Sequence, residues 1–215
     1  MKDEKFNNLF LDGGTLAFDF INTVNTRKQP ANRDYLENFE DVLKWGSKTN
    51  MLLPERIKVL SAEKALRPRL AKKALFQLID TREILYELFK AIANNRKPDN
   101  TLAADFNRLL SDAFGDLKME FYDRSIKIDL IDKKNLLSEP FKNVMKSAYD
   151  ILTTEDFARI KECPGCGWIF LDKTKNGKRR WCNMKVCGSS DKASRYYYRK
   201  KGKRTTELSE ETKNV

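Results

Sequence analysis

Residues 163–187, CPGCGWIFLDKTKNGKRRWCNMKVC, decide the fold of the C-terminal part of this chain. They contain all four cysteines of the 215-residue sequence, as two close pairs separated by fifteen residues. Two pairs at this separation are typical of a knuckle and a hairpin that bring four thiolates around one tetrahedral Zn²⁺. The sequence therefore predicts one structural zinc, bound by Cys163, Cys166, Cys182 and Cys187.

Two other roles for the cysteines are a pair of disulfides and a redox Cys-x-x-Cys. Disulfides rarely persist in a reducing compartment, and the start of the chain, MKDEKFNNLFLDGG, has no apolar signal-peptide core, so we expect a cytoplasmic protein. A redox motif normally lies in a thioredoxin-like unit and would leave the second pair without a role. Both alternatives are weaker than a zinc site, and four protein ligands leave that zinc no open position for a substrate.

The residues around the cysteine pairs predict a hairpin and a helix. Trp168–Leu171 reads as a strand, Asn176-Gly177 favours a type I′ turn, and residues 179–181 are predicted to return as the second strand. Residues 189–191, Ser-Ser-Asp, offer N-cap oxygens for a helix over 192–201. Knuckle, hairpin and helix together predict a treble-clef-like module whose folding depends on the metal.

The positive charge of the chain is concentrated in this module. Lys and Arg total 42 against 31 for Asp and Glu, a net +11, and residues 159–204 alone hold 15 basic and 3 acidic residues, a net +12. A basic module beside a balanced domain is typical of a nucleic-acid binder. The candidate nucleic-acid-binding residues are Lys178, Arg179, Arg180, Lys185, Lys192, Arg195, Arg199 and Lys200.

The charge pattern favours a nucleic acid as the partner and does not distinguish DNA from RNA. The alternative is an acidic protein surface to which the module docks as a non-catalytic adaptor. We expect a location at the nucleoid if the partner is DNA. An enzyme is disfavoured, because a chain without histidine has no imidazole base and no Ser-His or Cys-His nucleophile. A membrane partner is disfavoured as well, since no apolar run approaches the length of a span.

Residues 1–158 are predicted to form a mainly helical N-terminal domain. Apolar residues recur at helical spacing over 34–44, 71–93, 101–113 and 141–157. Residues 118–122 and 125–130 alternate around Asp123-Arg124, which predicts a β-hairpin. The fold class is therefore α+β: a mainly helical domain over 1–158 with a β-hairpin, a four-cysteine zinc module over 159–204, and a polar tail over 205–215 that we expect to be disordered.

The long helix predicted over 71–93 carries Arg82 in an otherwise apolar stripe. An unpaired buried guanidinium costs several kcal/mol, so Arg82 needs an acceptor, and Asp19 is the candidate. One interpretation is a structural ion pair or an arginine that reaches the surface. The other is a pocket in which Asp19, Asn22 and Arg82 bind a small anionic ligand.

Several stretches resemble the bacterial CGNR zinc-finger family with its N-terminal ABATE domain. They are LAFDFINT at 16–23, LKW at 43–45, RE at 82–83, SAYDIL at 147–152, CPGCGWIFLD at 163–172 and RRWCNMKVCG at 179–188. The resemblance implies a stress-induced transcription regulator whose finger binds DNA and whose N-terminal domain senses a ligand. We expect that domain either to sense a ligand or to form a homodimer.

The chain departs from the family pattern directly after the last cysteine. Cys187-Gly188 is followed by Ser189-Ser190, where the family name expects Asn-Arg, although Lys192 stands where the family has a lysine. The missing arginine would have offered a two-bond contact to phosphate or guanine. A DNA sequence preference shared with the family is therefore not implied.

Overall fold

The computed structural model describes residues 4–28, 33–115, 117–129, 134–194 and 196–197. The described α-helices are α1 (Glu4–Asn7), α2 (Leu16–Ile21), α3 (Phe39–Lys48), α4 (Pro54–Leu66), α5 (Pro68–Ala93), α6 (Asn100–Phe114) and α7 (Glu139–Thr154). The strands are β1 (Lys118–Tyr122), β2 (Ser125–Asp129), β3 (Ile160–Glu162) and β4 (Ile169–Leu171). Short 3₁₀ turns cover Leu136–Ser138 and Phe157–Arg159, and a π turn covers Met184–Gly188. These elements confirm the predicted α+β class.

Helix α5 forms the centre of the molecule. Its 26 residues span about 39 Å, and it begins at Pro68, a residue favoured in a first turn because it has no N–H to leave unpaired. It contacts α2, α3, α4, α6 and α7, and also β3 and β4 of the zinc module. The helix therefore joins the N-terminal region to the cysteine-rich module through packing.

Side-chain caps set the starts of three helices. Thr15, Asn38 and Asp99 accept hydrogen bonds from the first turns of α2, α3 and α6. Because Asn38 caps α3, that helix begins at Phe39 and not at the predicted residue 34. Asp34 instead forms an isolated antiparallel bridge with Val24. The helix α4, which begins at Pro54, was not predicted from the apolar spacing, since only Leu60 is buried along it.

The hairpin predicted around Asp123-Arg124 is confirmed. Strands β1 and β2 pair in antiparallel register, with Phe121 opposite Ile126 and Met119 opposite Ile128. The hairpin projects from the helical body, and the described side chains of both strands are exposed to solvent.

The second hairpin differs from the prediction. Strand β4 pairs with β3, which precedes the knuckle, and not with residues 179–181, which are not a strand. The partner strand is Ile160–Glu162 because Asp172, at the end of β4, accepts the backbone N–H of Arg179 and folds the following loop back on itself. The Asn176-Gly177 turn lies in that loop, where Gly177 has φ +58°.

The helix after the last cysteine also begins earlier than predicted. Asn183 caps the π turn by accepting from the N–H groups of Lys185 and Val186. Residues 189–194 and 196–197 are also helical. Residues 189–191 are therefore inside the helix and do not cap it.

One hydrophobic core runs through both parts of the chain. Phe18, Phe89 and Leu85 of the helical region lie in the same buried cluster as Ile169 and Phe170 of β4. The division at residue 158 stays a prediction, and residues 205–215, predicted to be disordered, lie outside the described residues. Among the described residues, no helix has the length and apolar character of a membrane span.

Candidate metal centre and its basic surface

The four cysteines form one structural zinc site. Their Sγ atoms all lie within 4.8 Å of one another, with Cys166 and Cys182 3.5 Å apart and Cys182 and Cys187 3.8 Å apart. Four sulfurs held about 2.3 Å from one tetrahedral Zn²⁺ are about 3.8 Å apart, so the cluster fits the metal. None of the four cysteines is in a disulfide, and their spacing along the sequence is typical of a zinc finger.

Backbone geometry around the first pair places its two sulfurs. The N–H of Cys163 donates to Trp168 O at 2.8 Å, and the N–H of Gly167 donates to Cys163 O at 2.8 Å, which closes the knuckle. Gly167 has φ +76°, and an added Cβ would lie 2.9 Å from Arg27 Cβ. Only glycine fits there without strain, because the backbone is left-handed and a neighbour is close.

The second pair is placed by the π turn that Asn183 caps. The backbone O of Asn183 accepts from Gly188 N at 3.1 Å, and the side-chain Nδ2 of Asn183 donates to Asp12 Oδ2 at 2.8 Å. Gly188 is buried, and an added Cβ would lie 2.5 Å from Met184 Sδ. Cys182 and Cys187 thus lie at the two ends of a tightly wound loop that is fixed to the N-terminal segment.

The ionisation of the thiols depends on the metal. Without it, hydrogen bonds from Cys166 and Cys182 lower the pKa of Cys163, and the bond to Cys163 raises the pKa of Cys182. A divalent cation stabilises all four thiolates together, so zinc binding releases protons. Zinc here holds the fold and has no open position for catalysis.

The knuckle is hydrogen-bonded to the segment that follows α2. The N–H of Arg27 donates to Cys166 O at 2.8 Å, and Thr26 Oγ1 donates to the same oxygen at 3.1 Å. The indole Nε1 of Trp168 donates to Val24 O at 2.8 Å. No local pattern in the sequence predicts these bonds, because they join residues far apart in the chain.

Asn22 joins the same segment to strand β4. Its side-chain Nδ2 donates to Ile169 O at 2.8 Å, and its Oδ1 accepts from Ile169 N at 3.2 Å. The buried amide therefore pairs with one residue as a neighbouring strand would. This use of both amide atoms is structural, and a role of Asn22 in ligand binding stays a prediction.

The predicted partner of Arg82 is wrong. Arg82 binds Asp34, with Nη1–Oδ1 at 2.8 Å and Nη2–Oδ2 at 2.6 Å, and it also contacts Thr23 and Glu83. Asp34 is the acceptor because its bridge to Val24 brings it over α5, whereas Asp19 lies on α2 and points elsewhere. Burial opposes the charge of Arg82, yet its bonds to Asp34 raise its pKa above the ordinary value.

Asp19 contacts the turn before α2. Its Oδ1 accepts from the Gly13 N–H at 2.9 Å, and the Gly13 carbonyl accepts from Leu171 N of strand β4 at 2.9 Å. Burial raises the pKa of Asp19 to about 6. Asp19, Asn22 and Arg82 thus have three separate sets of partners, and the anionic-ligand pocket stays an untested prediction.

Asp172 organises the loop between β4 and the second cysteine pair. Its fully buried carboxylate accepts from Lys161 Nζ at 2.7 Å, Thr174 Oγ1 at 2.6 Å and the Arg179 N–H at 2.8 Å. Burial opposes ionisation, but these donors outweigh it and lower the pKa of Asp172 below the ordinary value. Neither Lys161 nor Asp172 was singled out from the sequence.

Arg179 is used inside the module and not on its surface. Its guanidinium donates to the carbonyls of Trp181 and Cys182 and lies 4.8 Å from the centre of the Phe170 ring. These bonds give the Arg179 guanidinium a structural role next to the zinc ligand Cys182. The expectation that Arg179 also contacts nucleic acid stays a prediction.

Four of the predicted cations are exposed around the metal centre. Lys178 and Arg180 lie on either side of Arg179, Lys185 lies in the π turn, and Lys192 lies on the following helix. The guanidinium of Arg180 lies 5.0 Å from the centre of the Trp181 ring, and the Arg180 side chain remains exposed to solvent. Arg195, Arg199 and Lys200 lie outside the described residues.

Comparison with known families agrees with this architecture. Residues 159–200 match the family described as "CGNR zinc finger". Residues 14–118 match the ABATE family, described as "Putative stress-induced transcription regulator". A search of the curated proteins finds no match.

Proposed function

Because the chain carries an ABATE region followed by a CGNR zinc finger, we propose that it regulates transcription and binds DNA through the basic surface of the finger. The observation that carries this proposal is the set of exposed cations held around a four-cysteine zinc site. Lys178, Arg180, Lys185 and Lys192 supply the positive charge, and the metal supplies the rigidity. A regulator of this kind acts at the nucleoid, in the cytoplasm.

The backbone that carries these cations is fixed on the inside of the module. Between Lys178 and Arg180, the N–H of residue 179 is bound to Asp172, and the Arg179 guanidinium is bound to carbonyls on the far side. Lys185 follows the Asn183 cap. Charges on a fixed backbone lose less conformational freedom on binding than charges on a flexible tail, which favours a defined docking orientation.

Lysine and arginine side chains at this surface would contact phosphates and position the module on duplex DNA. Such contacts supply affinity without reading sequence, since base edges are read by other groups in the grooves. Tyr196 and Tyr197 are exposed on the helix after the π turn, four and five residues after Lys192. They could pack against sugar or base once phosphates are bound.

The N-terminal region would adjust the finger through the contacts that join them. Helix α5 holds Asp34 through Arg82, and the neighbouring residues 22–28 bind the knuckle and strand β4. A ligand or a second subunit that shifts this segment would move the finger with it. We propose no reaction at these contacts.

The proposal is tested by fluorescence anisotropy with duplex DNA over a salt series. Each phosphate contact contributes about −0.9 to the log–log slope of affinity against salt, so loss of four contacts should reduce the slope by about 3.6. The variant carries Lys178→Ala, Arg180→Ala, Lys185→Ala and Lys192→Ala. The matched control removes three lysines and one arginine exposed on α4 and α5, namely Lys58, Arg69, Lys72 and Lys73.

The control separates docking from general charge. If the slope of log affinity against log salt becomes shallower in the finger variant and is unchanged in the α4–α5 variant, the finger is the DNA-binding surface. Equal losses in both variants would contradict the proposal. Parallel measurements with single-stranded RNA and with an acidic protein distinguish the two alternatives, and tighter binding of either than of duplex DNA would replace DNA as the partner.

A further inference from the structure

The β1–β2 hairpin has an apolar face that the rest of the described chain leaves exposed. Residues opposite each other on paired strands lie on one face, so Met119, Phe121, Ile126 and Ile128 form a single patch. Phe121 is 74% exposed and Ile126 is 58% exposed. A two-stranded hairpin that covers neither face is at most marginally stable in water, so this patch indicates a missing contact.

The opposite face of the hairpin is polar and bonded within itself. Tyr122 Oη donates to Glu120 Oε2 at 2.9 Å, and Lys127 Nζ lies 3.5 Å from the same oxygen. The two faces thus differ as the faces of a half-buried sheet do, with one side for solvent and one for a protein surface.

A cavity of about 420 Å³ continues the apolar face toward the helical body. It is lined mainly by Phe114 and Leu110 of α6, Tyr149 of α7, and Met119 and Ile128 at the base of the hairpin. Phe121 and Ile126 lie beyond it, at the tip. The patch and the cavity together form one continuous apolar surface.

The charge of this surface favours a second copy of the chain as the occupant. Residues 118–129 hold three basic and three acidic residues, so the hairpin is neutral although the chain is +11. At the edge of the cavity, Lys146 and Asp150 are paired at 2.7 Å. Two such surfaces do not repel each other, whereas neither nucleic acid nor an acidic protein is attracted to them.

The area is sufficient for a symmetric contact. With about 200 Å² for a large side chain, the exposed fractions of Met119, Phe121, Ile126, Ile128 and Tyr149 amount to roughly 500 Å² per copy. A two-fold dimer would then bury about 1,000 Å², the lower limit for a specific interface. The apolar residues of 198–215, namely Tyr198, Leu208 and Val215, are too few for this C-terminal segment to provide the area.

We infer that two copies of the protein associate through this face, with Phe121 and Ile126 of each hairpin covering the apolar surface of the other. The contact is isologous, so the same residues are buried on both sides and the assembly closes at two subunits. This inference deepens the proposed function, because it selects dimerisation as a role of the N-terminal region and names the surface. A dimer would also present two zinc fingers to one DNA duplex.

The test is the mass of the zinc-loaded full chain by light scattering and sedimentation over a concentration series, without DNA. The expected mass of the wild type is twice 25.1 kDa. The double variant Phe121→Asp, Ile126→Asp should have the mass of one chain. Both residues are exposed, and circular dichroism with zinc analysis shows whether the variant remains folded.

The control is Phe76→Asp, which changes an exposed phenylalanine on α5 and should leave the dimer intact. A monomeric wild type at every concentration, a double variant that remains dimeric, or a control that dissociates equally would each overturn the inference. DNA binding is measured separately on the same samples. A monomer that binds DNA contradicts only the dimer, and a dimer that does not bind DNA contradicts only the proposed function.

Discussion

Arg82 on α5 and Asp34 before α3 form an ion pair with two bonds, Nη1–Oδ1 at 2.8 Å and Nη2–Oδ2 at 2.6 Å. Asp34 also bridges Val24, whose carbonyl accepts the indole N–H of Trp168 in the zinc module. Two residues, Asp34 and Val24, therefore link the buried charge of Arg82 on α5 to Trp168 beside the metal-binding knuckle. The pair stabilises the loop on which the finger is mounted.

Removal of Asp34 should be more damaging than removal of Arg82. Asp34→Ala leaves a buried guanidinium whose one remaining carboxylate partner among the described residues is Glu83, and we expect a loss of about 3 kcal/mol in the free energy of unfolding. Arg82→Met places an apolar side chain in an apolar stripe and leaves a carboxylate that water can reach. Urea denaturation of both zinc-loaded variants checks the order, and a larger loss for Arg82→Met would contradict this account.

Asp172 should be essential for the loop that carries Lys178 and Arg180. Asp172→Asn keeps the shape but loses the charge that four donors from Lys161, Thr174 and Arg179 surround, and we expect the unfolding free energy to fall by about 3 kcal/mol. The pKa of Asp172 is lowered, so its stabilisation is present above the ordinary value of about 3.9 and is lost as the pH falls below it.

The difference in stability between wild type and Asp172→Asn should thus be constant from neutral pH down to about pH 4. The control is Asp150→Asn, whose carboxylate forms an exposed pair with Lys146 and should contribute less than about 1 kcal/mol. A difference for Asp172→Asn as small as that of the control would show that the buried carboxylate is not needed.

Asp19 should destabilise the fold at neutral pH. Burial raises its pKa to about 6, so the folded state binds a proton more readily than the unfolded chain, and stability falls as the pH rises from about 4 to 6. Asp19→Asn keeps an acceptor for the Gly13 N–H and removes the charge. We expect it to raise the unfolding free energy at pH 7 by roughly 2 kcal/mol.

Denaturation of Asp19→Asn and wild type at a series of pH values checks this sign. Other groups, including the zinc ligands, titrate in both proteins and cancel in the difference. The gain should disappear below about pH 4, where Asp19 is protonated in both states. A variant that is less stable than wild type at pH 7 would contradict the assignment.

Gly13 should tolerate no side chain. An added Cβ would lie 2.7 Å from backbone atoms of Phe18 and Asp19, and the carbonyl of Gly13 binds strand β4, so the turn cannot move freely. We expect Gly13→Ala to cost about 2 kcal/mol or more. The control is Gly177→Ala, which has open space around it and should cost about 1 kcal/mol for its left-handed φ. Thermal denaturation that ranks the two in the opposite order would contradict the tight turn.

Local patterns predicted most of the helices, the first hairpin and the zinc ligands. The cysteine spacing was sufficient because four sulfurs and one metal leave few arrangements, and apolar spacing was sufficient for α5, α6 and α7. Apolar spacing did not predict α4, because only one residue of that helix is buried and its hydrophobic pattern is weak. The start of α3 was missed because the Asn38 cap ends the preceding loop later than the apolar residues suggest.

The wrong partner predicted for strand β4 has one physical cause. Asn176-Gly177 has the local chemistry of a tight hairpin turn, but the buried carboxylate of Asp172 competes for the backbone and pairs with Arg179 and Lys161. The partner of Arg82 was missed for a similar reason. Asp34 is 48 positions from Arg82 in the sequence, and its bridge to Val24 brings it to α5. Long-range polar bonds carry no periodic signal in the sequence.

The most direct test of the central claim measures zinc and DNA affinity together on one preparation of the full chain. We predict one zinc per chain with all four thiols free of disulfide, loss of duplex binding in step with removal of the metal by a chelator, and recovery when zinc is returned. Duplex affinity that is unchanged after the metal has gone, or cysteines joined to one another in the active preparation, would contradict the claim that zinc holds the DNA-binding surface.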